Sequence, residues 1–326
     1  MTEVVRSTAL VSPDAVAVIA VNWNQWRLSL ECLASLKRTV GAEWHLFLVD
    51  NASSDGSRDH LIDLGPSVTV IHSGVNGGWT GGNNLGIRFA MEAGYVRFFI
   101  LNNDAQVTSN TIAKLLEVAK GDPLPVVGPI QLDETGQTLE FIGAAIDPNT
   151  GLPEFMPVEG VNRASLPAFY PTTFVRGAGL LVTSEHIDRI GPFDDRFYLF
   201  FDETDWCFKA RKLGYPVMMT SQAEIIHKRS ASVGGVHSPL IIYFHTRNSM
   251  LFAERNCTAR QRLRQAVELA RWSSRLTPEI KTRRRVGALL FGKSKPAIAF
   301  RRGVRDYLLR RFGDCPPFIR TISGLR

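Results

Sequence analysis

The sequence predicts an α/β fold whose central sheet is mostly parallel and carries helices on both faces. Apolar runs at Val16–Val21, His45–Val49, Val68–Ile71 and Tyr95–Leu101 alternate with segments of helical spacing. Strands that alternate with helices form parallel sheets, because each return of the chain passes through a helix on one face. Ligands bind at the carboxyl ends of such strands. Polar residues such as Asn22-Trp23-Asn24 follow several of these runs, so we expect a ligand site at that edge.

Composition sets the broad class of protein. The chain has 326 residues, of which 44% are hydrophobic and 21% charged, as in ordinary globular proteins with one large or two small domains. No apolar run reaches the roughly 18 residues of a spanning helix, and the first residues lack the layout of a secretory signal. The four cysteines form no C-x-x-C pair. We therefore expect neither a zinc site nor a disulfide framework, and a cytoplasmic location.

Charge is distributed unevenly along the chain. Residues 257–326 hold 18 Lys and Arg against four Asp and Glu, a net charge of +14, which leaves −7 for residues 1–256. We therefore predict two domains with these bounds, the second a basic helical extension broken near Pro278 and Pro296. Its densest clusters are Arg283–Arg285 and Arg301–Arg302. The extension is expected to dock on an anionic membrane surface, peripherally at the inner face of the cell membrane. The alternative is an oligomerisation or lid segment, so a homo-oligomer stays open.

The triplet Asn102-Asn103-Asp104 stands at the exit of the fourth predicted strand. A carboxylate at that place can hold a divalent cation, which in turn binds a diphosphate. The alternative is an Asx turn or a cap for a helix expected from Thr108 to Lys120. His227 follows another apolar strand, and a neutral imidazole suits Mn²⁺, although a lone His is more often structural.

Two loops follow the second and third predicted strands. In VDNASSDGS (49–57), Asp50 and Asn51 can hydrogen-bond the edge of a pyrimidine, while Ser53–Gly56 have the chemistry of a turn and a helix cap. In NGGWTGGNNLG (76–86), the backbone N–H groups of Gly77 and Gly78 are candidates for binding phosphate at a helix start. The alternative for the second loop is a tight turn with close helix packing.

The stretch FDDRFYLFFDETDWCFKARKLGY (193–215) carries three acids after an aromatic run. Aromatic walls raise the pKa of a carboxyl group and suit it to general-base catalysis. Asp202, Glu203 and Asp205 are therefore catalytic candidates. The alternative is that these acids stabilise the first turn of a helix through its dipole.

Eight segments between Val16 and Asn256 together resemble the family 2 glycosyltransferases of the rhamnosyltransferase-like branch. In order they are VNWN, VDNASSDGS, NGGWTGGNNLGI, FFILNNDA, VRGAGLLV, FDDRF…FDETDWCFKARKLGY, EIIHKRSAS and YFHTRNSMLF. The resemblance implies the GT-A fold and an inverting transfer of a sugar from a nucleoside diphosphate donor. The acceptor would be a hydroxyl of a cell-surface polysaccharide or of a lipid-linked glycan.

The resemblance favours dTDP-L-rhamnose as the donor. A UDP-hexose donor and a non-catalytic sugar-nucleotide-binding protein are the alternatives. A nucleotidyltransferase would normally show a basic residue in a Gly-rich loop near the first strand, which this chain lacks. A nucleic-acid-binding protein would fit the basic C-terminal residues, but acids at the strand ends repel a phosphate backbone, so no nucleic acid is expected as a partner.

The resemblance also assigns roles to single residues. Asp104 matches the retained carboxylate of the D-x-D metal element, with an amide at the first acid, and His227 completes a Mg²⁺ or Mn²⁺ site. Glu203 is the expected base, and Asp202 is the alternative because the usual Glu-Asp order is reversed. The expected nucleotide contacts are Val21, Trp23, Asp50, Asn51, Gly77, Gly78, Asn102, Asn103 and Asp104. The expected acceptor or phosphate contacts are Gly177, Asp205, Arg247 and Asn248.

Overall fold

The computed structural model describes residues 3–5, 12, 14–228, 238–275 and 292–325. The chain divides into two compact units, which are described separately. Unit 1 comprises Met1–Ala145, Phe155–Asp194 and Trp206–Arg229. Unit 2 comprises Ile146–Glu154, Asp195–Asp205 and Ser230–Arg326. This division places residues 230–256 with the C-terminal residues, and the predicted domain boundary after residue 256 stays a prediction.

The strands belong almost entirely to unit 1. They are β1 (Glu3–Val5), β2 (Val16–Asn22), β3 (Trp44–Asp50), β4 (Val68–His72), β5 (Arg97–Leu101), β6 (Ala105–Val107), β7 (Val126–Leu132), β8 (Leu139–Phe141), β9 (Ala144–Ile146), β10 (Pro153–Phe155), β11 (Phe169–Pro171), β12 (Gly179–Thr183) and β13 (Val217–His227). The main sheet has the order β1-β4-β3-β2-β5-β12-β7-β13-β11, with β6 on β13 and β8 on β7.

The predicted parallel core is confirmed. Strands β4, β3, β2 and β5 pair in parallel, and so do β7 and β13. Because β12 is antiparallel to both β5 and β7, all six of these strands run in one direction. Their carboxyl ends therefore lie along one edge of the sheet, where polar residues follow the strands.

The helices are α1 (Trp26–Leu36), α2 (Ser57–His60), α3 (Gly78–Glu92), α4 (Thr111–Val118), α5 (Ser184–Ile190), α6 (Asp202–Lys212), α7 (Pro239–Asn256), α8 (Ala259–Arg275), α9 (Lys295–Leu308) and α10 (Pro317–Ile322). Successive side chains of a strand point to opposite faces of the sheet. Accordingly Ile19 packs in a cluster with Ile87 of α3, whereas Val18 packs in a second cluster with Leu33 of α1 and Leu115 of α4. Helices therefore cover both faces, as predicted.

Helix α3 lies unusually close to strand β2. A Cβ atom on Gly86 would stand 2.6 Å from Ile19 Cγ2, and one on Gly82 would stand 2.7 Å from Val21 Cγ1. Any larger residue at either position would have to push the helix away, since such distances lie inside van der Waals contact. The glycines of NGGWTGGNNLG therefore serve close packing, the alternative considered from the sequence.

The chain after β5 differs from the prediction. The helix begins at Thr111 rather than Thr108, because residues 105–107 form the short strand β6. Strand β6 pairs antiparallel with the end of β13, with Ala105 opposite His227. Strand β13 reaches that register through a bulge between Thr220 and Glu224. This pairing brings Asp104 beside His227.

Unit 2 has its own apolar core, built by helices α7, α9 and α10. Tyr243 and Phe244 of α7 pack with Phe300 of α9 and Ile319 of α10. The two long helices cross closely, since a Cβ atom on Gly303 would stand 2.8 Å from the carbonyl oxygen of Tyr243. Part of the basic extension is thus integral to a packed core.

Several predictions concern the basic extension. Pro296 lies in the first turn of α9, where proline is well tolerated, so it starts a helix rather than breaking one. Arg301 and Arg302 lie on α9. Pro278 and the cluster Arg283–Arg285 lie outside the described residues. Among the residues that the structure describes, no helix is both long and apolar enough to cross a membrane.

Candidate active site

A buried hydrogen-bond network joins the ends of three parallel strands. Asn22 of β2 donates through Nδ2 to Asp50 Oδ1 at 3.0 Å, and it accepts at Oδ1 from Ser29 Oγ at 2.9 Å. Asn103 Nδ2 in turn donates to Ser29 Oγ at 3.0 Å. His72 Nδ1 lies 3.5 Å from Asp50 Oδ2. The network fixes Asp50 and Asn103 at the edge where a donor is expected.

Asn22 and Ser29 were not among the predicted site residues. The sequence contained a hint for Asn22, because it is a polar residue at the end of a buried strand and such residues mark the edge where a ligand is expected. Ser29 carried none, since a serine inside an amphipathic helix is common and its partners lie on strands distant in sequence. Both side chains are buried.

Asn51 shapes the Gly-rich loop. Its Oδ1 accepts from Gly77 N at 3.0 Å, and its Nδ2 donates to Gly78 O at 2.9 Å and to Asn76 Oδ1 at 3.0 Å. Gly78 N donates to Asn76 Oδ1 at 2.9 Å. The N–H groups of Gly77 and Gly78 are thus already bonded within the loop. Asn51 is thus a support of the loop, and the predicted contact of Gly77 and Gly78 with phosphate stays a prediction.

Asp104 and His227 form the candidate metal site. Asp104 Oδ1 lies 3.1 Å from His227 Nε2, and Asn102 Nδ2 lies 3.5 Å from the same nitrogen. The Asp104 and His227 side chains are 13% and 11% exposed, so both still reach solvent. His227 Nδ1 is buried and has no hydrogen-bond partner among the described residues.

The donor set of this pair fits a divalent cation. Adjacent ligands of an octahedral Mg²⁺, each about 2.1 Å from the metal, are separated by about 3 Å, close to the observed spacing. The same spacing also suits a direct hydrogen bond. In the described part of the chain, no group of three or more His, Cys, Asp or Glu side chains is placed to hold a metal. Mg²⁺ sites often combine one or two protein ligands with substrate phosphates and water, so two ligands suffice.

Trp79 contacts the candidate metal site through Asn102. Its Nε1 donates to Asn102 Oδ1 at 2.9 Å, and its ring packs edge-on against Phe193. A Cβ atom on Gly177 would stand 2.4 Å from Trp79 Cζ2. Gly177 therefore makes room for Trp79, and its predicted contact with a substrate stays a prediction. Asn102 is positioned by Trp79 through its amide oxygen.

Val21 and Trp23 lie at the end of β2, and both side chains are half-buried. Val21 packs its methyl groups against Gly82 of α3. Their predicted contacts with a nucleotide base stay a prediction, and so does the contact of Asp50.

The candidate catalytic acids belong to unit 2. Asp202 and Glu203 form the start of helix α6. Asp202 is only 2% exposed, and its Oδ1 accepts from Glu203 N at 3.1 Å. Glu203 is half-buried. The two acids therefore differ in access to solvent, and Asp202 also accepts a hydrogen bond from the backbone of the first helical turn.

Three further predicted contacts are buried in unit 2. Asp205 Oδ1 accepts from Arg255 Nε at 2.9 Å and from Asn256 Nδ2 at 2.8 Å. Arg247 and Asn248 are 0% exposed and donate to backbone carbonyls. These three side chains are enclosed by contacts within unit 2, and their predicted contacts with a phosphate or an acceptor stay predictions.

Comparison with known sequences identifies the family of a large part of unit 1. Residues 17–147 match the model of glycosyl transferase family 2. They cover strands β2 to β5 and the edge that carries Asp50 and Asp104. Residues 17–147 form a family 2 glycosyltransferase domain.

Curated relatives point to the same enzyme class. The low-salt glycan biosynthesis hexosyltransferase Agl10 of Haloferax volcanii is 22% identical over 73% of this chain and 75% of its own length. The dTDP-rhamnosyl transferase RfbF of Shigella flexneri is 23% identical over 65% and 71%. The N-acetylglucosaminyl-diphospho-decaprenol L-rhamnosyltransferase of Mycobacterium tuberculosis is 24% identical over 74% and 85%. The protein is a glycosyltransferase similar to rhamnosyltransferases.

Solved structures confirm the GT-A fold. A Pyrobaculum calidifontis mannosyltransferase in complex with GDP-Man and Mn²⁺ aligns with a TM-score of 0.55 at 15% identity, covering 95% of this chain and 83% of that one. GalNAc-T7 with UDP, GalNAc and Mn²⁺ aligns with the same TM-score and identity, covering 76% of this chain. This chain spans 55% of the GalNAc-T7 chain, about half its length.

Proposed function

We propose that the protein transfers L-rhamnose from dTDP-L-rhamnose to a hydroxyl of a polysaccharide or lipid-linked acceptor, with inversion at the anomeric carbon. The observation that carries this proposal is the convergence of Asp104 and His227 at the carboxyl edge of the parallel strands. The edge is where open α/β sheets bind ligands, and the fixed side chain of Asp50 stands there too.

The metal would be Mg²⁺ or Mn²⁺, held by Asp104 and His227. Two of the structural neighbours carry Mn²⁺ with a nucleotide or nucleotide sugar. When bound, the cation would neutralise the charge that develops on the departing diphosphate. The hydrogen bond from Trp79 fixes the side-chain amide of Asn102 beside this pair.

Glu203 is the proposed general base. It would remove the proton of the acceptor hydroxyl while that oxygen attacks the anomeric carbon and the bond to the diphosphate breaks. A single displacement inverts the anomeric centre, through a transition state with oxocarbenium character. Glu203 is preferred over Asp202 because Asp202 is almost fully enclosed and accepts the amide proton of Glu203.

The choice of donor rests on relatives. Two of them are named for rhamnosyl transfer, and the name of one includes a diphospho-decaprenol lipid. Identities of 22–24% leave a UDP-hexose as the alternative donor. A lipid-linked acceptor would also account for a basic C-terminal segment.

The decisive experiment measures nucleoside diphosphate release from dTDP-L-rhamnose, UDP-hexoses and GDP-mannose, each with Mn²⁺, Mg²⁺ or EDTA. We expect release from dTDP-L-rhamnose that EDTA abolishes. Release from a UDP-hexose alone would overturn the donor assignment. Donor binding detected by thermal shift without any turnover, across a panel of acceptors, would favour the sugar-nucleotide-binding alternative.

Asp104→Asn tests the metal site directly. We expect this variant to need at least about tenfold more Mn²⁺ for half-maximal release and to bind Mn²⁺ more weakly by titration calorimetry in the presence of dTDP. Asp14→Asn is the control, because the Asp14 side chain is 91% exposed and pairs with Arg97 on the surface. Equal Mn²⁺ affinity in the Asp104 variant and the wild type would refute the metal assignment.

We also propose that the outer face of helix α9 docks on an anionic lipid surface. Leu308 and Leu309 are 66% and 51% exposed, and they line a groove with Phe300, Val304 and two arginines, Arg301 and Arg305. Apolar side chains flanked by arginines suit an interface where lipid tails meet anionic headgroups. The net charge of +14 in residues 257–326 supports this choice of partner.

Flotation with vesicles tests the lipid surface. The wild type should bind vesicles that contain phosphatidylglycerol and not those of phosphatidylcholine alone, and Leu308→Ser/Leu309→Ser should weaken that binding severalfold. Val75→Ser in unit 1 is the matched control, since Val75 is a comparably exposed apolar residue. Unchanged vesicle binding together with a smaller oligomer in the Leu308/Leu309 variant would replace the lipid surface by an interface between copies.

A further inference from the structure

The segment that precedes the candidate base has an unusual backbone. Residues 196–201, which we call the base loop, lead directly into Asp202 and Glu203 of helix α6. Tyr198, Phe200 and Phe201 have φ values of 65°, 67° and 68°. Large side chains rarely adopt this left-handed region, so the loop is strained and must be held by its surroundings.

Asn248 holds the base loop through its backbone. Its Nδ2 lies 2.8 Å from Phe197 O, 2.7 Å from Leu199 O and 3.0 Å from Phe200 O. Each of these carbonyls belongs to the residue directly before one with positive φ. Asn248 is fully buried, so no water competes with its amide for these carbonyl oxygens. It is therefore placed to stabilise the strained conformation itself.

Arg247 holds the same loop from its other end. Its Nη2 donates to Phe197 O at 3.0 Å and to Arg196 O at 3.3 Å, and its Nε donates to Asn248 Oδ1 at 2.9 Å. Burial lowers the pKa of the Arg247 guanidinium. A buried cation is costly unless hydrogen bonds satisfy it, and here carbonyl oxygens supply most of them.

The C-terminal residues complete the enclosure of the base loop. Arg247 Nη1 donates to Gly313 O at 2.7 Å, and Gly313 N donates to Arg196 O at 3.2 Å. Arg320 Nη2 donates to Tyr198 Oη at 3.0 Å and to Asp314 Oδ1 at 2.7 Å. The end of the chain thus contacts both the backbone and a side chain of the loop.

We propose that Arg247, Asn248 and Arg320 are positioning residues that hold the base loop in its strained form and thereby orient the Glu203 carboxylate. The inference rests on the proposed function, since it takes Glu203 as the base. It gives the C-terminal residues a task in the chemical step, in addition to any contact with lipid. Misplacement of a reacting group by about 1 Å can cost roughly 10²-fold in rate, so small shifts of this loop should matter.

A double-mutant cycle tests the proposal. Asn248→Ala should lower kcat about 10²-fold and leave the KM for the donor within about threefold, because the donor site in unit 1 is untouched. In a Glu203→Gln background, the same substitution should lower the residual kcat by less than about threefold, since the group that it orients is already gone. Equal losses in both backgrounds would overturn the proposal.

A smaller substitution tests the same proposal in case Asn248→Ala does not fold. Tyr198→Phe removes only the hydroxyl that meets Arg320, and it should lower kcat severalfold at unchanged donor KM. Arg310→Gln is the control, since Arg310 makes an exposed pair with Glu254 and no described hydrogen bond to the base loop. Wild-type kcat in both Asn248→Ala and Tyr198→Phe would refute the positioning role. Wild-type transfer by Glu203→Gln would instead refute the assigned base.

Discussion

Gly177→Ala should weaken both the fold and the metal site, because the new methyl group meets Trp79. Its Cβ atom would stand 2.4 Å from Trp79 Cζ2, whereas carbon atoms pack at about 3.5–4.0 Å. The indole must therefore retreat by about 1 Å. Overpacking of this kind costs about 1–3 kcal/mol. The hydrogen bond of 2.9 Å from Trp79 to Asn102 would also be lost, adding about 1 kcal/mol.

We expect the total loss of about 2–4 kcal/mol to lower Tm by roughly 5–10 °C in calorimetry. Since Asn102 lies beside His227, the Mn²⁺ concentration for half-maximal activity should rise severalfold as well. Trp79→Leu removes the clashing ring. In that background, Gly177→Ala should change Tm by no more than about 2 °C. An undiminished effect of Gly177→Ala without the indole would refute the steric reasoning.

Three other predictions concern buried polar groups. Asn22→Ala deprives the buried Asp50 carboxylate of a donor, and it should cost about 2–3 kcal/mol in urea unfolding; wild-type stability would refute that role. Burial lowers the pKa of His186, so the unfolded chain binds more protons below about pH 6.5, and stability should fall as the pH drops through that value. A His186→Gln variant should show a flatter pH dependence of Tm. Asp205→Ala removes a buried acceptor that Arg255 and Asn256 share and should lower Tm by several degrees, whereas an unchanged Tm would contradict the contacts.

The parallel core could be predicted because the local pattern and the tertiary structure agree. Each strand of the core is a short apolar run that ends in polar residues, and its neighbours follow it closely along the chain. Strand β6 could not be predicted, since three residues carry no periodicity and their partner, β13, lies over a hundred residues away. The pairing of Asp104 with His227 depends on this short strand.

The roles of conspicuous polar residues were harder to predict than their positions. Gly77 and Gly78 stand at a helix start, as expected. The N–H of Gly77 donates to Asn51 of a neighbouring loop, and the N–H of Gly78 donates to Asn76 of the same loop. Arg247 was expected at a phosphate or an acceptor because it matches an Arg-Asn pair of the family that the sequence resembles. Its burial comes from helices that pack far along the chain, which no local pattern reveals.

The bulge in β13 lets one strand pair in the core of the sheet and also place His227 beside Asp104. Residues up to Thr220 pair with β7 in one register, and residues from Glu224 pair with β7 in a shifted register. Ile225–His227 also pair with β6, which brings His227 to Asp104. A shift of one residue beyond the bulge would turn the imidazole to the opposite face of the sheet. Adding or removing one residue between Glu224 and His227 would therefore separate the imidazole from Asp104, so the length of this segment sets the geometry of the candidate metal site.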